Sequence, residues 1–443
     1  MSNMCPIEQP TIVLTPAKAA VSNRGCTLDV LVRVQAPDMP KGDDSRQKPK
    51  RLSLVIDRSG SMHGEPLTEA LRCANHIASR MTAADELAVI VYDNKVTTVV
   101  PLAPVRSHQD IAARLADVVS GGNTALFDGW ERGAQILQKG AEEGLSHVIL
   151  LSDGQANEGL TESDQITPHC AQWLSKGIST TTVGLGRGFN EELMAAMAKS
   201  GGGQHYYGQT AADLFDAFDE EFALLTALYL KSLGVRFIPG DGVILEPVGI
   251  FSQKEDGFYK LSDLAYGAEA WMAVRLYLKA AKDVEVRDLF AVAFKADNLN
   301  CEAILPMMEM LSLPVMEQEE FDALEIDPLV LRRTMEAEFA KESKGLHLMA
   351  RAGDLSGLNA ALDDLQLKFG NHPWLHDKIA YLRALAEEDV SMAAKESQVL
   401  YFRCAARLSD RDEIAYDGDE TDMSKPAFLR KKVSEGRGRR IKT

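Results

Sequence analysis

The sequence predicts an α/β protein: a doubly wound, mainly parallel sheet inserted in a β-sandwich and followed by a C-terminal α-helical domain. Three observations predict it. Between residues 48 and 228, short apolar runs alternate with segments of helical period, the pattern of parallel strands covered by helices on both faces. From 229 to 300 the pattern changes to short strand-like runs divided by turn clusters, as in a sandwich. From 301 to 410 helical spacing takes over. The strand-like segments before residue 48 are read as members of the sandwich, so that the parallel-sheet domain interrupts it.

Each element has a local reason. Residues 11–16 form an edge strand ended by Pro16, since proline cannot donate to a ladder. Leu28, Val30, Val32 and Val34 recur at period two, a half-buried strand. The segment Pro37 to Lys50 is rich in turn formers and charge and reads as a linker. Arg51-Leu52-Ser53-Leu54-Val55-Ile56 is a buried strand. Leu67, Ala70, Leu71, Ala74, Ile77, Ala78 and Met81 then line one helical face.

Residues 86–92 form the next strand, with Val96 to Val100 returning antiparallel after the Asp93-Asn94 turn. Helices follow around Ile111 and Leu115, and around Phe127, Trp130, Ala134 and Leu137. The remaining alternation is strand 148–151, helix 168–176, strand 179–184, helix 190–199, a short strand near His205, and helix 211–228. Sandwich strands are expected at 235–239, 243–247, 257–261, 271–278 and 288–294. In the helical part, Asp354 and Ser356 mark a break and restart, and Pro373 marks another helix start.

At 443 residues the chain is too long for one ordinary core. The boundaries read as 1–47 for the first sandwich strands, 48–228 for the inserted domain, 229–300 for the rest of the sandwich, 301–410 for the helices and 411–443 for a tail. The net charge of −17 disfavours a nucleic-acid partner, because phosphate contacts need Lys and Arg. Six scattered cysteines without a C-x-x-C pair read as reduced thiols. The first residues lack the basic and apolar regions of a signal peptide, and no apolar run approaches the ~20 residues of a membrane span. A cytoplasmic location is expected. The tail, basic from Arg430 to Lys442, is expected to be mobile when free.

The chemistry concentrates at strand ends. Asp57-Arg58-Ser59-Gly60-Ser61 follows the first strand of the inserted domain, Ser120-Gly121-Gly122-Asn123-Thr124 is a loop before a helix, and Asp153 follows an apolar strand. Ligands bind at that carboxyl edge of an open α/β sheet. Asp57, Ser59, Ser61, Thr124 and Asp153 are all hard oxygen donors, suited to Mg²⁺, Mn²⁺ or Ca²⁺ rather than Zn²⁺.

This D-x-S-x-S…T…D set, in order over residues 48–228, resembles the metal-ion-dependent adhesion site (MIDAS) of von Willebrand factor A (VWA) domains, which have a Rossmann-like fold. The resemblance implies that Ser59 and Ser61 ligate the metal directly and Thr124 directly or through water. By the same resemblance, Asp57 and Asp153 would anchor the ion largely through water or hydrogen bonds. It also implies a protein partner that contributes a Glu or Asp to the metal. Mg²⁺ ranks first because it keeps waters that a carboxylate can replace; Mn²⁺ and Ca²⁺ follow.

No catalytic set matches this site in clarity, and an enzyme is not expected. A Mg²⁺-dependent hydrolase at the same site, or a scaffold with a purely structural metal, are the alternatives. The first lacks a general base near Ser59. His63 reads as a rim residue. His372 and His376, four apart, could share a helix face but lack an evident third ligand. Asp213, Asp216, Asp219, Glu220 and Glu221 read as a solvated helix face.

Overall fold

The first strands, β1 (Thr11–Pro16), β2 (Val21–Ser22) and β3 (Cys26–Gln35), lead to a second unit built on β4 (Lys50–Asp57). The computed structural model describes residues 9–37, 49–140, 145–153, 155–185, 190–208, 210–212, 214–215, 218, 228–251, 253–261, 263–281, 284–298, 307–390, 393–394, 396–397 and 408–410. The basic tail, the acidic residues 213, 216 and 219–221, Cys5, Cys301, Cys404 and most of the 37–50 linker lie outside them. Two units are distinct: Lys41–Ala227, and Met1–Pro40 with Leu228–Thr443.

The first of these is a six-stranded sheet. β4 is followed by α1 (Glu65–Ser79), β5 (Glu86–Tyr92), β6 (Val96–Pro104), α2 (His108–Ala116) and α3 (Leu126–Gln138). β7 (Leu145–Ser152), α4 (Ser163–Ser175), β8 (Ile178–Leu185), α5 (Glu191–Ser200) and β9 (Gly202–Gly208) complete it. The strand order is β6-β5-β4-β7-β8-β9. All neighbours are parallel except β5 and β6. β7 is buried along its whole length, which is why its stretch Val148–Leu151 reads as a continuous apolar run rather than an alternating one.

Helix α3 lies close against the sheet because Gly129 and Gly133 face it. A Cβ on Gly129 would collide with the Tyr92 ring, and one on Gly133 would meet Val55 Cγ2 at 2.5 Å. On the same helix Trp130 is fully buried, and its indole N–H donates to Thr180 Oγ1 at 3.1 Å. Arg51 closes the far end of α3 by donating to the carbonyls of Leu137 at 3.0 Å and Lys139 at 2.6 Å, groups left open at a helix C-terminus.

The other unit is a β-sandwich with helices. Its later strands are β10 (Leu228–Pro239), β11 (Val243–Val248), β12 (Tyr259–Lys260), β13 (Leu264–Ala265), β14 (Ala268–Leu278), β15 (Val286–Asn298) and β16 (Met307–Met316). One sheet runs β1-β3-β14-β11 and the other β12-β10-β15-β16-β2. β3 and β14, from opposite sides of the insertion, pair along ten residues, from Glu269 opposite Gln35 to Leu278 opposite Cys26. The core between the sheets holds Val30, Val32, Val34, Met272, Val274, Val235, Phe290, Val292 and Leu311.

Two stretches differ from the sequence expectation of helix over 301–410. Met307–Met316 is a sandwich strand antiparallel to β15, and Leu408–Asp410 pairs with β14. Methionine and glutamate favour helix locally, but Leu311 and Leu313 are drawn into the sandwich core opposite β15. At the other end of the insertion, Leu228 already begins β10. Helices cover residues 328–342, 346–351, 355–369 and 373–388. They enclose a core of Phe339, Leu346, Leu362, Leu365, Leu375 and Ile379. The first of them also covers the outer face of the β3–β14 sheet, where Val330 and Ala337 pack with Leu31, Trp271 and Ala273.

Candidate metal centre

Parallel pairing brings the ends of β4, β5 and β7 to one edge. Asp57, the last residue of β4, is fully buried and is in register with Tyr92 at the end of β5. Its Oδ1 accepts the Ser59 backbone N–H at 2.8 Å, an Asx-type contact that turns the chain sharply after the strand. Its Oδ2 accepts hydroxyl hydrogen bonds from Ser152 at 2.6 Å and Tyr92 at 3.2 Å. Ser59 is buried and Ser61 exposed, with their Oγ atoms 3.0 Å apart. The two hydroxyls therefore share one mouth of the loop, the inner one dry and the outer one wet.

The glycine-containing loop before α3 is joined to this turn by backbone hydrogen bonds. Gly60 N–H donates to Gly122 C=O at 3.0 Å, and Gly121 N–H donates to Arg58 C=O at 2.8 Å. Thr124 is buried. Its N–H donates to Asn157 Oδ1 at 2.8 Å, and its carbonyl accepts the N–H groups of Asn157 at 3.2 Å and Glu158 at 3.3 Å. Asp153 is 7% exposed, and its carboxylate accepts the Gln155 N–H at 3.2 Å. The loop that begins at Asp153 thus also holds Thr124.

Electrostatics at this edge favour a cation. Burial raises the Asp57 carboxyl above its usual range; the hydrogen bonds from Ser152 and Ser59 oppose this, and the nearby Asp153 charge adds to it. A cation beside them would relieve the repulsion between the two carboxylates. Arg58, the neighbouring cation in sequence, is engaged with Asp93 at 3.0 Å. Among the described residues, no three His, Cys, Asp or Glu side chains converge on a metal site. The candidate donors at this edge are two carboxylates and neighbouring hydroxyls, a composition that fits a hard dication.

Sequence reasoning did not single out Tyr92, Ser152 or Asn157. A polar residue closing an apolar strand is the signal that marks Ser152; for Tyr92 and Asn157 only the pairing reveals the role. His63 is exposed at the rim, with Nδ1 3.0 Å from Ser120 Oγ. The two histidines of the helical part diverge: His372 Nε2 is 3.2 Å from Glu336 Oε1, and His376 Nδ1 is 2.8 Å from Gln366 Nε2.

The profile of the von Willebrand factor type A domain matches residues 52–221. A Synechocystis protein, sll0103, is 31% identical over 193 residues, covering 43% of this chain and 46% of that protein. Inter-alpha-trypsin inhibitor heavy chain H3 of Bos taurus is 29% identical over 198 residues, covering 41% of this chain and 22% of that protein. The chain thus spans less than half the length of these curated relatives. Two solved structures share the fold over most of the chain. The von Willebrand factor type A protein from Catenulispora acidiphila has a TM-score of 0.63 at 16% identity, covering 86% of this chain and 91% of that one. The ArnB paralog VWA2 from Sulfolobus acidocaldarius has a TM-score of 0.55 at 15% identity, covering 88% of this chain and 98% of that one.

Proposed function

The chain carries a VWA domain at residues 52–221, a type of domain that generally mediates protein–protein interaction and often does so with a metal; from that premise we propose that this one is a metal-dependent interaction module. Asp57, Ser59, Ser61, Thr124 and Asp153 would hold a divalent cation, Mg²⁺ first, and a Glu or Asp of a partner protein would complete the site. The observation that carries the reading is the pair of buried carboxylates, Asp57 and Asp153, set at one sheet edge with the hydroxyls of Ser59 and Ser61.

When bound, the ion would supply an electrophilic position that a carboxylate can occupy in place of water. The chain's own residues prepare that position. Asp57 Oδ2 is occupied by two hydroxyl donors, which suits the carboxylate to anchoring an ion from behind rather than enclosing it. Ser61, at the exposed end of the serine pair, leaves the outer side open to a partner.

Calorimetric titration of chelator-treated full-length protein with Mg²⁺ tests the first half. Wild type should bind, and the Asp57→Ala, Ser59→Ala double variant should not. Affinity capture from host lysate in Mg²⁺ and in EDTA tests the second. A protein held only by the Mg²⁺-loaded wild type supports the reading. Mg²⁺ binding with identical capture under all conditions would make the metal structural, and no binding by wild type would overturn the site itself.

A further inference from the structure

Asp57 is surrounded by neutral donors. Oδ2 accepts from the hydroxyls of Tyr92 and Ser152, and Oδ1 from the Ser59 amide. Neutral donors fix a carboxylate without cancelling its charge, whereas a guanidinium would do both. The available guanidinium, Arg58, is held by Asp93 instead. The result is a carboxylate fixed in place by hydrogen bonds rather than by a counter-charge.

Tyr92 is fully buried, where a hydroxyl is costly unless it has a partner. Its ring is backed by α3 at Gly129, where even a methyl group would collide with it. The strand register sets Tyr92 beside Asp57 from one side, and Ser152 approaches from the end of β7 on the other. A phenylalanine would fill the same space, so the hydroxyl's contribution is its hydrogen bonding.

We propose that Tyr92 is a positioning residue of the metal site, acting with Ser152 through Asp57 to orient the anchoring carboxylate, and that Gly129 keeps the Tyr92 ring in place. This rests on the reading of Asp57 as part of a cation site. Partners of this kind typically change metal affinity by about 10–100-fold.

The test is the Mg²⁺ affinity of the full-length protein, by calorimetry, alongside metal-free melting. Tyr92→Phe should bind Mg²⁺ at least about tenfold more weakly. Ser152→Ala should act likewise, while Ser152→Thr, which keeps a hydroxyl, should stay close to wild type. Gly129→Ala, which displaces the ring without touching a polar group, should also weaken Mg²⁺ binding. If Tyr92→Phe and Ser152→Ala melt at lower temperature yet bind Mg²⁺ within about twofold of wild type, their role is structural only and the inference is overturned. That outcome leaves the metal site standing; absence of Mg²⁺ binding by wild type removes both.

Discussion

The backbone N–H of Thr124 is held by the side-chain carbonyl of Asn157 at 2.8 Å. The loop after β7, which begins at Asp153, therefore also holds the backbone of Thr124 in another loop. Asn157→Ala should leave that partly buried N–H without its acceptor, at a cost of about 1–2 kcal/mol. The expected result is a lower metal-free melting temperature and weaker Mg²⁺ binding. Asn157→Asp, which still offers an acceptor oxygen, should recover most of the stability. Wild-type melting and affinity in Asn157→Ala would remove the coupling between the two loops.

Gly122 supplies a second check on the same loop. Its φ is +75°, a region that costs a side-chain-bearing residue about 1–2 kcal/mol. A Cβ there would also collide with Asn94 Oδ1 and come within 3.0 Å of Asp93 Cβ. Gly159 has a similar φ of +73° but nothing within 4 Å of a Cβ. Gly122→Ala should therefore destabilise clearly more than Gly159→Ala in chemical denaturation, and only the former should weaken Mg²⁺ binding. Equal losses would mean that backbone strain alone matters.

The parallel-sheet unit was legible because its strands are continuous apolar runs and its helices carry clear apolar faces. Leu52 to Ile56, Val148 to Leu151 and the face from Leu67 to Ile77 lie where their patterns place them. The D-x-S-x-S turn and Asp153 were legible as polar groups that interrupt such runs. Tyr92 was not, since a tyrosine closing Ala88-Val89-Ile90-Val91 reads as more core. Its role depends on register with Asp57, which no local pattern encodes. Met307–Met316 was missed for a related reason: its strand conformation comes from pairing with β15, against the local preference of its methionines.

In the sandwich unit, Arg275 joins three elements. It pairs bidentately with Asp29 at 2.7 and 2.8 Å, its register partner on β3, and with Glu338 on the 328–342 helix at 2.9 Å. All three groups are partly exposed, at 22–33%, so screening limits the gain. Arg275→Lys keeps the charge but loses the fork that fits a carboxylate. A loss of about 1 kcal/mol is expected, shrinking in high salt. A double-mutant cycle with Asp29→Asn measures it; a coupling near zero at low salt would show that packing alone joins these elements.

Glu336 sets the acid limit of the helical part. It is buried with Arg333 and His372, at 3.0 and 3.2 Å. Burial alone would raise its carboxyl, but the Arg333 charge and the His372 contact outweigh this and lower it to about 2, from an ordinary 4.5. Because the folded value lies below the unfolded one, the stabilisation is fully present above the unfolded value. It is lost as pH falls from about 4.5 towards 2. Glu336→Gln should remove that part of the acid dependence. It should also lower stability at pH 7, because the buried Arg333 loses the carboxylate 3.0 Å away. Denaturant unfolding at pH 7, 5 and 3 checks both effects. A variant whose stability falls as steeply as wild type between pH 5 and pH 3 would show that the acid sensitivity arises at other carboxylates.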